Sequence, residues 1–322
     1  MNERVEEDLT SNRHSVVGGD AYMWQISSEQ KKMTIGKVTL GGGLGENPTV
    51  LIGSIFYYKQ KSLNFHEETG EFNRKECERL IKLQEDFSNR TGLPCLLDVV
   101  LSHKKWINLV VDFVASITDT PILLDAVSVE IRLAALNYAK EAGLEDRVVY
   151  NSLNPESKKT EYDKIKETKL KTAVLLAYNT RDMTSKGRVN AIKQILPQVL
   201  ESGIDEILID ACVLDVPTLG LAFKAIFDLK NELGYPTGCG AHNAIATWRG
   251  LKTKMGAEAA KPCTAVANAL PIAAGADFVL YGPIEDASFV FPAVAMVDAA
   301  FAQLSIEKGR VPLPSHPIFK IA

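Results

Sequence analysis

Thr237-Gly-Cys-Gly-Ala-His-Asn243 is an apolar, glycine-rich run that stops abruptly on His242 and Asn243, and the same construction recurs along the chain. Leu-Leu-Asp98, Leu-Leu-Asp125, Val-Tyr-Asn151, Ala-Tyr-Asn179 and Leu-Ile-Asp210 each close a short hydrophobic run on a carboxylate or an amide. Runs of this length read as buried strands. Polar groups at the same end of successive strands build a ring of hydrogen-bonding side chains around one mouth.

Working outward from these runs, the pattern predicts strands over Thr49–Tyr57, Pro94–Leu101, Pro121–Val127, Arg147–Leu153, Thr172–Tyr178, Glu206–Ala211, Thr237–His242 and Ala276–Tyr281. Helical segments alternate with them. Arg74–Ser88 carries Cys77, Leu80, Ile81 and Phe87 on one side, Val129–Ala142 is stopped by Gly143, Pro155–Glu167 and Gly187–Leu200 follow later strands, and Thr218–Leu233 is stopped by Gly234. Strands alternating with helices give a parallel sheet covered on its outer face, and eight such units match a (β/α)8 TIM barrel. A doubly wound open sheet is the competitor, but it usually has fewer strands and a glycine fingerprint after the first one. Gly41-Gly-Gly-Leu-Gly45 is not that fingerprint, because no helix follows and position 46 is Glu46. With Lys37–Leu40 before it, this turn reads as a hairpin at the base of the barrel. Residues 1–32 read as a polar N-terminal extension, ordered only in part, and 33–322 as one barrel domain.

The chain has 322 residues, 46% hydrophobic and 24% charged, as in ordinary globular proteins. A formal net charge of −4 and a pI near 5.8 provide no basic field for nucleic acid or an anionic membrane. No apolar run is expected to reach the roughly 20 residues that span a bilayer. The N-terminus lacks the basic and apolar regions of a signal peptide, so the cytoplasm is the expected compartment. Cys77, Cys95, Cys212, Cys239 and Cys263 are scattered, with no CxxC and no histidine pair beside them, so no metal site is expected.

Active sites of such barrels lie at the C-terminal strand ends, which singles out Asp98, Asp125, Asn151, Asn179, Asp210, His242 and Asn243. An Asp or Asn there can equally be a helix cap or turn former. Asp125 and Asp210 follow apolar residues and precede small or apolar ones, and a carboxylate so embedded needs a partner. No strand end carries a lysine for Schiff-base chemistry, and neither a P-loop nor an HExxH motif occurs. A mouth lined by Asp and Asn suits a neutral, donor-rich heterocycle such as a guanine-like or pterin ring, whose N–H and NH2 edge pairs with a carboxylate.

Thr49-Val-Leu-Ile-Gly-Ser-Ile-Phe-Tyr57, Tyr150-Asn-Ser-Leu-Asn154, Leu280-Tyr-Gly-Pro-Ile-Glu285 and Val290-Phe-Pro-Ala-Val-Ala-Met-Val-Asp298 resemble the H subunit of tetrahydromethanopterin S-methyltransferase and its relatives. The similarity runs from about Met33 to near the C-terminus. The resemblance implies a pterin-binding methyltransferase barrel in which Asp125, Asn151 and Asp210 hold the pterin edge and Asn243 lies near N5. Ser54, Asp98 and Asn179 are further binding candidates by position, and His242 a further catalytic one.

What the resemblance implies for activity is methyl transfer between methylcobalamin, on a separate corrinoid protein docking at the barrel mouth, and N5 of tetrahydrofolate, giving 5-methyltetrahydrofolate. This chain lacks the Asp-x-His-x-x-Gly motif of a cobalamin ligand, which is why the corrinoid is expected on a partner. A homodimer is expected by the same resemblance. The alternatives are a subunit using tetrahydromethanopterin within a larger complex, and a docking subunit without catalysis. Dihydropteroate synthase is a further reading, but that enzyme usually has an Arg-x-His near the last strands where this chain has Pro314-Ser-His316.

Overall fold

The computed structural model describes residues 26–126, 128–307 and 309–321. Residues 1–25 of the predicted extension, and Val127 at the end of a predicted strand, lie outside the described residues. The segment just before the barrel is tied down: Ser27 bonds the Asn231 side chain at 2.8 Å, and the Ser28 hydroxyl donates to the Lys230 carbonyl at 2.6 Å. The chain then forms an antiparallel hairpin, β1 (Lys32–Ile35) and β2 (Val38–Gly41).

The barrel follows in alternating units: β3 (Val50–Ile55), α1 (Arg74–Thr91), β4 (Cys95–Leu101), α2 (Ile107–Ile117), β5 (Ile122–Ala126), α3 (Val129–Glu141), β6 (Val148–Leu153), α4 (Lys159–Thr168), β7 (Thr172–Leu176), α5 (Ser185–Glu201), β8 (Glu206–Asp210) and α6 (Val216–Leu233). After β9 (Thr237–Cys239) come the short α7 (Asn243–Ala246) and α8 (Leu251–Met255), then α9 (Ala260–Ala269), β10 (Phe278–Pro283) and α10 (Ala287–Glu307). Strands β3 to β10 pair in parallel and close, β10 bonding to β3. This is the predicted (β/α)8 barrel.

Side chains two apart on a strand share a face, and that period sorts the barrel's residues. Val50 and Ile52, Leu96, Leu123, Val149, Val174, Leu208, Phe278 and Leu280 point inward and form one buried cluster with Met33, Ile35 and Leu40 of the hairpin. The hairpin therefore plugs the N-terminal end, but its turn lies at Gly36 and Lys37 rather than in the glycine run 41–45, and Val38–Gly41 is its second strand. Fully burying a side chain such as Leu40 contributes roughly 1.5–3 kcal/mol. The alternate residues Leu51, Ile55, Leu97, Leu124 and Ile209 face outward into the layer covered by the helices, where Cys77, Leu80 and Ile81 of α1 meet them.

Element ends differ where local turns intervene. The predicted strand to His242 stops at Cys239, because the Asn243 amide turns back to the Gly240 carbonyl at 3.2 Å. The helix predicted from Pro155 starts at Lys159, because the Asn154 side chain takes the Glu156 amide at 2.8 Å and holds a turn. One expectation is overturned: the segment Ile284–Glu307 is long and apolar enough to cross a bilayer. In the fold its helix packs against α1 and α9 as the barrel's last outer helix. Its buried Asp298 accepts the Thr49 amide at 2.9 Å and the Thr49 hydroxyl at 3.0 Å.

Candidate active site

The inward period carries directly into the site. Two residues beyond Ile52, Leu96, Leu123, Val149 and Leu208 stand Ser54, Asp98, Asp125, Asn151 and Asp210, so five strands end in inward hydrogen-bonding side chains above an apolar floor. The remaining positions of this layer are Leu176 on β7, Gly240 just after β9 and Gly282 on β10. Among the described residues no lysine or arginine stands at these strand positions.

Register brings the polar residues together. Ser54 is paired with Asp98 and Asp125 with Asn151. The Ser54 hydroxyl donates to one Asp98 oxygen at 2.7 Å, and the Asn151 amide reaches the other at 3.5 Å. Burial, with Asp125 adding repulsion, raises the Asp98 carboxyl well above the usual range, against the opposing pull of Ser54 and Asn151. Burial also raises Asp125, opposed by the Ala126 amide and by the charge of Arg132. Two buried carboxylates on neighbouring strands favour holding one proton between them.

On the far side, burial pushes Asp210 up to about 6, with the amides of Cys212 and Gly240 and the charge of Arg188 opposing. The Cys212 amide donates to Asp210 at 2.7 Å. A Cβ added to Gly240 would stand 3.3 Å from the Asn243 side-chain nitrogen and 3.8 Å from an Asp210 carboxylate oxygen. Gly240 thus leaves open the space between these two groups.

His242 and Asn179 are placed differently. The His242 Nδ1 lies 3.0 Å from the Leu280 carbonyl, which can only accept, so Nδ1 carries the proton. Burial lowers its pKa, keeping the ring neutral. The ring fills the space over Gly282, where a Cβ would come within 2.7 Å of it. The Asn179 side-chain oxygen accepts the Arg181 amide at 2.9 Å, capping its own loop three residues past β7.

The supports beneath the site were not singled out from sequence. Arg132 on α3 donates to the Ala126 carbonyl at 3.0 Å and lies 3.4 Å from both the Tyr150 hydroxyl and Glu161, while Tyr150 donates to Glu161 at 2.7 Å. Arg188 on α5, 1% exposed, donates to the carbonyls of Ala211 and Cys212. Each arginine holds the carbonyl of the residue that follows a site aspartate. At the opposite rim Glu285 accepts from Tyr57 at 3.2 Å, Gln60 at 3.0 Å and Ser62 at 2.5 Å, joining the β3 loop to the end of β10. Among the described residues no cluster of side chains suited to a metal ion is found.

Fold and mouth together define a (β/α)8 barrel whose mouth is lined by hydrogen-bonding side chains. The comparisons make the class narrower. The family described as the tetrahydromethanopterin S-methyltransferase MtrH subunit matches residues 28–312. The H subunit of tetrahydromethanopterin S-methyltransferase from Methanothermobacter thermautotrophicus is 37% identical, covering 93% of this chain and 100% of that protein. Its counterpart from Methanocaldococcus jannaschii is 35% identical over the same shares of each. A Yersinia pestis dihydropteroate synthase solved with a pterin–sulfa conjugate superposes with a TM-score of 0.57 at 12% identity, covering 84% of this chain and 98% of that one, a likeness of fold. The chain belongs to the tetrahydromethanopterin S-methyltransferase H-subunit family.

Proposed function

We propose that this chain transfers a methyl group between N5 of a reduced pterin and a corrinoid carried by a separate protein that docks over the barrel mouth. The observation that carries the reading is the inward end layer, with Asp125 and Asn151 on one side and Asp210 beside Asn243 on the other. Carboxylates opposite a pterin's N–H and NH2 edge accept its donors, and the amide of Asn151 supplies both a donor and an acceptor. The names of the relatives favour tetrahydromethanopterin over the tetrahydrofolate that the sequence alone put first, and they describe a subunit that works within a complex.

In the direction toward the pterin, the N5 lone pair forms the new N–C bond while the cobalt–carbon bond breaks, its electron pair stays on cobalt, and the proton on N5 leaves to solvent. The protein's task is then to align nitrogen, methyl carbon and metal, an ordering that can supply roughly 7–11 kcal/mol of the barrier. Asp125, Asn151 and Asp210 fix the ring. Asn243 hydrogen-bonds near N5 and follows its change in charge, a contact stronger in the transition state than before it. His242, held neutral against β10, forms part of the wall.

The test mixes the purified chain with a methylated corrinoid protein and either tetrahydromethanopterin or tetrahydrofolate, and follows the cobalamin absorbance. Demethylation with one pterin supports the proposal and names the substrate. Unchanged spectra with both, together with no pterin binding by the chain alone, would leave a docking subunit as the better account.

A further inference from the structure

Beside α7 lies a cavity of about 400 Å³. Ile245 and Ala246 of α7 form one wall, and Trp248, Arg249, Lys252, Lys261, Asp286 and Phe289 are among the residues that form the others. Asn243 opens this same helix, and at about 1.5 Å per residue its Cα lies about 5 Å along the axis from that of Ala246. The cavity and the candidate site therefore share a wall.

Its charge runs against that of the chain. Three cations line it in a protein of formal net charge −4. Among the described residues none of the three forms an ion pair. Lys261 lies 5.8 Å from the centre of the Phe289 ring, and its charge also acts on Asp286. Asp286 is the one carboxylate in the lining, and its neighbour Glu285 is committed to Tyr57, Gln60 and Ser62. A net positive, partly aromatic cavity accepts an anion joined to a flat or apolar group.

The geometry of a reduced pterin says which anion. C6 adjoins N5 and carries the molecule's side chain, at the end of the bicycle opposite the pyrimidine edge. A ring held by Asp125 and Asn151 at that edge, with N5 by Asn243, directs C6 toward the loop after β9. We infer that this cavity receives the anionic tail of the pterin, a carboxylate or a phosphate, with Arg249, Lys252 and Lys261 supplying the charge and Trp248 an apolar wall. The inference rests on the function proposed above and adds to it the part of the molecule that selects among pterins.

The experiment is calorimetric titration of the full chain with tetrahydrofolate, tetrahydromethanopterin and the tailless 6-methyltetrahydropterin, at low salt and at about 0.5 M salt. At least one tailed pterin binds about tenfold or more tighter than the tailless one at low salt. That ratio shrinks at high salt and moves toward one in the Arg249→Glu/Lys252→Glu variant. A ratio carried by tetrahydrofolate identifies a site fitted to its carboxylate tail, and one carried by tetrahydromethanopterin a site fitted to its longer tail with a phosphodiester. Equal affinities in the unmodified chain, or a ratio indifferent to salt and to the charge reversals, overturn the tail site and leave the proposed function standing. Failure of all three to bind overturns that function itself.

Discussion

Arg188 and Asp210 hold opposite sides of one peptide unit. The Arg188 guanidinium donates to the Ala211 carbonyl, and the Asp210 carboxylate accepts the Cys212 amide at 2.7 Å. Cys212 sits at φ +60°, a conformation that a residue with a side chain adopts only when its surroundings impose it. Asp210 thus owes its direction to a helix residue 22 positions earlier in the chain.

Arg188→Ala leaves the carbonyls of Ala211 and Cys212 without their buried donor and opens a cavity beneath β8. Unsatisfied buried groups cost about 1–3 kcal/mol each, so thermal unfolding should show a loss of roughly 3 kcal/mol. Pterin affinity should fall in the same variant, although Arg188 lies outside the inward layer of the candidate site. Unchanged affinity in a folded Arg188→Ala protein would show that Asp210 holds its position unaided.

The barrel was legible because buried parallel strands announce themselves as short apolar runs and several helices stop at a glycine such as Gly143 or Gly234. The site layer was legible for the same reason: Asp98, Asp125, Asn151 and Asp210 interrupt an inward period that is otherwise apolar. Arg132 and Arg188 were not. Each lies on a helix among other charged residues, and only the closed barrel brings it against the carbonyl after an aspartate. His242 and Asn179 looked like their neighbours in sequence, but the backbone turn after Cys239 directs His242 to Leu280, and the loop after β7 uses Asn179 for its own cap.

Asp210 sets a pH dependence whose sign follows from its raised pKa. The carboxyl titrates near 6 in the folded protein against an ordinary 3.8. Its contribution to stability is therefore full below about pH 4 and is lost as pH rises through 6. Binding runs the other way, since the carboxylate holds a donor of the pterin ring better than its protonated form does. Affinity should rise with pH between about 5 and 7, and Asp210→Asn should flatten that rise while weakening binding at pH 7 by tenfold or more. Titrations at pH 5, 6 and 7 measure it, and a profile that stays steep in the variant assigns the titration elsewhere.

Asn243 and His242 separate by kinetics. Asn243→Ala removes a contact proposed to strengthen as N5 changes charge, so kcat should fall by about tenfold or more while KM for the pterin changes little. His242→Gln keeps a side chain that can still donate to the Leu280 carbonyl and should retain most of kcat. Steady-state rates for both variants decide between them, and the reverse order would make the histidine the group acting at the reacting nitrogen.

Gly240 gives the sharpest test of where the ligand lies. An added Cβ there meets the Asn243 side-chain nitrogen at 3.3 Å, tight enough to shift that amide by a few tenths of an ångström, and the Asp210 carboxylate at an ordinary 3.8 Å. No backbone atom stands in its way, so Gly240→Ala should fold with little loss of stability. The methyl group nonetheless projects into the space between Asp210 and Asn243, where the proposed pterin ring must pass. Unfolding curves close to those of the unmodified chain, combined with an affinity loss of about a hundredfold, near 2.7 kcal/mol, place the ring against Gly240. Gly238→Ala is the contrasting variant, because its Cβ would lie 2.0 Å from the Phe278 carbonyl oxygen and force the strands apart. That substitution should cost stability first. If Gly240→Ala binds the pterin with undiminished affinity, the ring does not lie between Asp210 and Asn243.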